Sequence, residues 1–124
     1  MNNKKNSLFI GVSEIAFVCD VSKSTAQKII KNLNIELQKM GKLFSSGKTQ
    51  RKFFYKKIYC GNEYKYKEKI FYTAEDLSKI TGMSKSFFYS RFVVINLSLA
   101  EKGYFVINGR IPKKYFEKEM LYNE

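Results

Sequence analysis

The stretch "VSKSTAQKIIKNLNIELQKMG" at residues 21–41 has the pattern of a single capped helix. Ser22 suits an N-cap, because its hydroxyl can accept a hydrogen bond from the first turn, and Gly41 suits the C′ position after the helix. Between them, apolar residues recur at helical spacing. The members of this stripe are Ala26, Ile29, Ile30, Leu33, Leu37 and Met40. The sequence therefore predicts an amphipathic helix over residues 23–40.

A second stretch, "MSKSFFYSRFVVINLSLAEKG" at residues 83–103, repeats this pattern 62 positions later. Shifting the chain by 62 aligns residues 8–54 with 70–116 without a gap, and ten of the 47 pairs are identical. Its apolar stripe consists of Phe88, Phe92, Ile95 and Leu99. Because caps, glycines and apolar positions keep one register, we interpret the chain as a tandem duplication. The predicted domains are residues 1–61 and 62–124, with the charged segment "CGNEYKYKEK" (60–69) at their junction.

The same order of elements is predicted for each copy. A short strand, "LFI" or "IFY", precedes a first helix at roughly 12–19 or 74–81. The patterns Gly11-x-x-Glu14 and Thr73-x-x-Asp76 place an acid where it can cap that helix. After the second helix, "VINGRI" predicts an Asn-Gly hairpin, and Pro112 can begin a third helix, matched by "QRKFFYKKIY" in the first copy. This order predicts two tandem winged helix-turn-helix units, mainly α with small β wings.

The net charge of +12 on 124 residues is the most informative bulk property. Such an excess favours a polyanionic partner, with nucleic acid first and an anionic membrane surface second. No apolar run is long enough to span a bilayer, and "MNNKKNSLFIG" lacks the features of a signal peptide, which predicts a cytoplasmic protein, either nucleoid-associated or in the host cytoplasm. Two cysteines without histidine cannot build a four-ligand zinc site, and the commonest general base is missing. We therefore expect a non-enzymatic protein without metal or cofactor.

Residues 21–34, "VSKSTAQKIIKNLN", resemble the second half of bacterial helix-turn-helix motifs, where V-S-x-x-T-A/V-x-x-I begins the recognition helix. The longer segments "LNIELQKMGKLF" and "AEKGYFVINGRIPKKYFEKE" resemble small winged-helix proteins of Gram-positive phages, plasmids and integrative elements. These include regulators, excisionase-like proteins and relaxosome accessory proteins. The resemblance implies a sequence-specific duplex DNA-binding protein that acts in transcription regulation or as an accessory factor in recombination, partition or transfer. It usually covers one unit per chain, whereas here it covers nearly the whole chain twice.

Helices of this type enter the major groove by their N-terminal end. In the first copy, the residues pointing away from the apolar stripe are polar or basic, and Thr25 is placed near a phosphate. The wing and the third helix add further basic residues in both copies. The complete set of predicted DNA contacts is Lys23, Ser24, Thr25, Gln27, Lys28, Lys31, Lys48, Arg51, Lys85, Ser86, Tyr89, Arg110, Lys113 and Lys114. The alternative is that this is an ordinary solvated lysine face.

The second copy replaces Thr25, Ala26 and Gln27 by Phe87, Phe88 and Tyr89. We expect Phe88 in the core. Phe87 and Tyr89 are candidate interface residues that pack within the assembly, contact thymine methyl groups, or bind another protein. The sequence therefore also allows self-association through the second copy, a protein-interaction module such as an anti-defence inhibitor, or RNA binding.

Overall fold

The computed structural model describes residues 7–123. They form two compact units. Unit 1 comprises the described residues up to Lys56 together with Asn62–Lys69, and unit 2 comprises Lys57–Gly61 together with the described residues from Ile70 onward. The predicted domain boundary between residues 61 and 62 lies within the segment 57–69, which is divided between the two units. This boundary stays a prediction.

The described part of unit 1 is built from two strands and three α-helices. The strand β1 (Phe9–Gly11) leads into α1 (Val12–Cys19) and α2 (Lys23–Lys39). A loop then leads to β2 (Lys48–Gln50) and α3 (Arg51–Lys56). The two strands pair antiparallel, with Ile10 opposite Thr49, so that the chain on both sides of the helix pair is joined in one small sheet.

Unit 2 repeats this order with each element starting 62 residues later. It contains β3 (Phe71–Thr73), α4 (Ala74–Thr81), α5 (Lys85–Glu101), β4 (Arg110–Pro112) and α6 (Lys113–Tyr115). A π-helical turn at Phe116–Met120 extends α6, and β3 pairs antiparallel with β4. The prediction of a mainly helical chain with small β elements is confirmed.

The predicted caps of the long helices are present. The hydroxyls of Ser22 and Ser84 accept hydrogen bonds from the backbone N–H of Thr25 and Phe87. At the other end, Gly41 has φ +70° and Gly103 has φ +94°, a conformation that glycine adopts without a Cβ penalty. The N–H of Lys42 donates to the carbonyl of Leu37, which gives the Schellman pattern.

Two sequence-based details of the predicted elements are wrong. Gly11 caps α1 without any side-chain bond, so that Glu14 does not close a capping box, whereas Thr73 and Asp76 do. Nor does "VINGRI" form a two-stranded hairpin. Asn108 and Gly109 make a turn, closed by the Arg110 N–H donating to the carbonyl of Ile107, but β4 pairs with β3. The local turn is as predicted, and the strand partner is far away in sequence.

Each unit has an apolar core between its helices and its sheet. In unit 2 all four predicted residues of α5 are buried, beside Leu77, Ile111 and Phe116. In unit 1 Ala26, Ile30, Leu33 and Leu37 are buried as predicted, and Cys19 is buried too. The predicted stripe was wrong at its margins, since Ile29 is half-buried and Met40 is exposed.

Arg51 is part of the framework of unit 1. Its guanidinium makes two bonds of 2.6 and 3.0 Å to the Glu14 carboxylate, and it also donates to the carbonyls of Ser7 and Phe9. The hydrogen bond to Glu14 is the main cause that raises the pKa of Arg51. Since the two side chains are only 13% and 12% exposed, Arg51 has a structural role in unit 1, and its predicted DNA contact stays a prediction that these bonds do not favour.

An asparagine on the long helix of each unit fastens the following loop. The Asn34 amide donates to the carbonyls of Ser45 at 2.9 Å and Lys48 at 3.0 Å. The Asn96 amide makes the same pair of bonds to Ile107 at 3.1 Å and Arg110 at 3.0 Å. Both asparagines therefore fix the loop that precedes β2 or β4 against the helix.

Replacing Asn34 by Ala should lower the free energy of unfolding by about 2 kcal/mol, since two carbonyls lose their donor. Asn32→Ala is the matched control, because Asn32 is exposed on the same helix and the change in helix propensity is identical. Urea denaturation of both variants measures the difference. Equal stability of the two variants would show that the amide does not hold the loop.

Replacing Arg51 by Met should cost about 3 kcal/mol of stability, since the largely buried Glu14 carboxylate loses its partner. The double variant Arg51→Met with Glu14→Gln should recover part of this loss, as the buried charge is then absent. A double variant no more stable than Arg51→Met in urea denaturation would argue against the ion pair as the cause.

Candidate nucleic-acid interface

The outward face of α2 is polar and basic. Lys23, Ser24, Gln27, Lys28 and Lys31 are all exposed there. Among the described residues, none of these three lysines has an ion-pair partner. Their ammonium groups are therefore available to an external anion.

The position of α2 depends on its first turn and on α1. Ala26 is fully buried on α2, which packs against α1, and its small side chain is suited to close packing. The Ser22 hydroxyl, besides capping the helix, lies 3.1 Å from the hydroxyl of Thr25, which is half-buried. Thr25 is thus tied to the cap, while Gln27 and Lys28 project to solvent.

A groove of about 500 Å³ lies between α2 and the loop at 42–47. The helix contributes Gln27, Lys31, Ile35 and Gln38, and the loop contributes Phe44 and Ser46 among its lining residues. Sequence reasoning missed Ile35, Gln38 and Phe44. The sequence did contain one indication of this groove, because Ile35 is an apolar residue outside the buried stripe.

The basic residues beside the two loops differ in their surroundings. Lys48 is exposed at the start of β2, with its Nζ 5.6 Å from the centre of the Phe9 ring. Arg110 holds the same position in β4 but is half-buried. Both side chains follow the turn that Asn34 or Asn96 fixes, so that their backbone positions are well defined.

The third helix of unit 2 carries the remaining basic candidates. The Nζ of Lys113 lies 5.2 Å from the centre of the Tyr72 ring, and Lys114 pairs with Glu117 at 3.4 Å. Both residues are half-buried. These contacts partly occupy both lysines within their own unit, which makes them weaker candidates than the lysines of α2.

The N-terminal part of α5 carries the remaining candidates of unit 2. Lys85, Ser86 and Tyr89 are exposed, while Phe88 is buried as predicted. Phe87 packs against the core of its own unit, and the Arg91 guanidinium lies 4.2 Å from the centre of its ring. Of the two interface candidates, Tyr89 is therefore the accessible one.

The described residues 7–123 contain no helix that is both long and apolar enough to cross a membrane. Within the same residues, no three metal-binding side chains come together.

No family model matches the chain, and no solved structure is significantly similar to it. A 52-residue segment is 35% identical to the ICEBs1 excisionase of Bacillus subtilis (strain 168). The match covers 42% of this chain and 81% of that relative, so that most of the relative corresponds to less than half of this chain. On this similarity the chain belongs to the family of the ICEBs1 excisionase.

Proposed function

We propose that this protein binds duplex DNA and serves as an accessory factor in the recombination of a mobile element. In this proposal both units are winged helix-turn-helix units that arose by tandem duplication, and unit 1 makes the sequence-specific contacts. The relationship to an excisionase supports a role in recombination, and the net charge of +12 supports DNA as the polyanionic partner.

The observation that carries the proposal is the outward face of α2. Its unpaired lysines stand beside Gln27 at the N-terminal half of a capped helix, which is the part that enters the major groove in helix-turn-helix proteins. A glutamine pairs well with adenine, and a lysine with guanine or a phosphate. We assign base contacts to Gln27 and Lys28, and phosphate contacts to Lys23, Ser24, Thr25 and Lys31.

The loop of unit 1 holds the DNA backbone in this proposal. Lys48 is exposed and its backbone is fixed by Asn34, so that its ammonium group can reach a phosphate from a defined position. Arg110, Lys85, Ser86, Lys113 and Lys114 of unit 2 remain predicted contacts. Arg51 is left out, because its donors are engaged within unit 1.

Duplex binding should be strongly electrostatic. If about six phosphates are neutralised, the logarithm of the association constant K should fall with log salt concentration at a slope of about −5, since each phosphate contributes about −0.9. Fluorescence anisotropy of a labelled duplex over a series of salt concentrations measures this slope. An absence of duplex binding even at low salt would refute the DNA proposal.

Gln27→Ala and Lys28→Ala should each weaken binding to the preferred site by about 1–3 kcal/mol and leave random DNA nearly unaffected. Lys48→Ala should weaken both DNAs alike, because a phosphate contact carries no base information. Lys79→Ala is the matched control, since Lys79 is exposed but already paired with Glu75. Competition titrations with specific and random duplexes separate the two classes. Equal losses on both duplexes for Gln27 and Lys28 would show that α2 does not contact bases.

A further inference from the structure

The long helix of unit 2 is apolar on two opposite sides. One side, formed by Phe88, Phe92, Ile95 and Leu99, lies in the core. On the opposite side Tyr89, Val93 and Leu97 are 54%, 57% and 62% exposed. Their spacing of four residues places them in one row along the helix surface. We call Tyr89, Val93 and Leu97 the outer row of α5.

Two of the three positions of the outer row are polar in unit 1, and the third is apolar in both units. The residues 62 positions earlier are Gln27, Lys31 and Ile35, which line the groove beside α2. At these positions unit 2 has lost both the lysine and the glutamine. An apolar row in a chain with a net charge of +12 is unsuited to DNA phosphates and suited to a protein surface.

We propose that the outer row of α5 binds the outer row of a second copy of this chain, so that the protein forms a homodimer. The two helices would run antiparallel about a two-fold axis at Val93. In this register Val93 lies opposite Val93 of the second copy, and Tyr89 lies opposite Leu97. A two-fold interface requires such a self-complementary surface.

The charges at the ends of the row select this arrangement. One further step of four residues in each direction leads to Lys85 and Glu101, at the first and last positions of α5. Antiparallel pairing about Val93 places Lys85 opposite Glu101 of the second copy, at both ends. In the dimer this pairing replaces the DNA contacts predicted for Lys85 and Ser86. Neither Lys85 nor Glu101 has an ion-pair partner within residues 7–123. A parallel pairing would instead place like charges together.

The flanking residues permit the close approach of two helices. Ser86 and Ala100 lie beside the row, and the same register places them opposite each other. Small side chains at such positions reduce the distance between helix axes. Arg91 is held over the Phe87 ring and does not add a charge to the row.

The area that two α5 helices can bury against each other determines the affinity that we expect for the dimer. Stable protein interfaces bury about 1,200–2,000 Å² in total, and a single pair of 17-residue helices offers less than this. We therefore expect a micromolar dimer, not an obligate one. Its formation does not require DNA, so that its failure and that of the proposed function can be distinguished.

The test is sedimentation equilibrium of the full chain, without DNA and under reducing conditions, at increasing protein concentration. The mass should rise from 14.6 kDa toward twice that value. Val93→Lys should abolish the rise, since it places two ammonium groups together at the two-fold axis. Leu43→Lys is the matched control, because Leu43 is also exposed but lies in unit 1, and this variant should dimerise like the wild type.

Charge reversal tests the register independently of the apolar contact. Lys85→Glu and Glu101→Lys should each weaken the dimer about tenfold, since each places like charges together at both ends. The double variant should restore wild-type association, as the opposite pairs are formed again. Circular dichroism of each variant checks that α5 still folds. A wild-type chain that stays monomeric at several hundred micromolar, or that dimerises equally well with Val93→Lys, would overturn the proposal. A double variant no better than the single variants would overturn the antiparallel register.

Discussion

Each unit depends on one side-chain amide that ties its long helix to the loop returning to the sheet. Asn34 and Asn96 each donate both amide hydrogens to two carbonyls on either side of a turn. Without these bonds the part-buried carbonyls of the turn would lack this donor, which costs more than the net value of an ordinary hydrogen bond where water cannot replace it. The amide thereby fixes the start of β2 and β4, and with it the sheet that joins both ends of the unit. This accounts for the occurrence of asparagine at the same place in both copies.

A framework fixed in this way leaves the outward face of the long helix free to differ. The caps at Ser22 and Ser84 and the glycines after the helices are the same in both units, since they satisfy backbone groups that every helix exposes at its ends. The side chains on the outward face of the long helix are not needed to pair backbone groups at the helix ends. Unit 1 carries glutamine, lysine and isoleucine there, and unit 2 carries tyrosine, valine and leucine. One scaffold can therefore present a basic surface for a phosphate backbone and an apolar surface for a protein.

Features with a local cause could be predicted from the sequence. The first helices at 12–19 and 74–81 agree with the structure, and the buried face of α5 was identified completely, because caps and helical periodicity act over a few residues. Features with a distant partner could not. The partner of β4 lies about 40 residues earlier, so that the Asn-Gly turn in unit 2 suggested a hairpin that does not form. Arg51 is 37 residues from Glu14, and its ion pair with that residue could not be predicted for the same reason.

The salt dependence of DNA binding would also report on dimerisation through α5. A monomer that neutralises about six phosphates and a dimer that neutralises twice as many differ in slope by a factor of two, since each phosphate releases its counterion independently. Two DNA sites at a suitable spacing would hold two copies at a high effective concentration, which favours a weak helix pair without any additional contact. The pairing of α5 would then contribute cooperativity between sites, while the lysines of α2 contribute affinity. Weak pairing of the outer rows is sufficient for this role, since neighbouring DNA sites raise the effective concentration. Tight pairing would instead make the chain a dimer before it bound DNA.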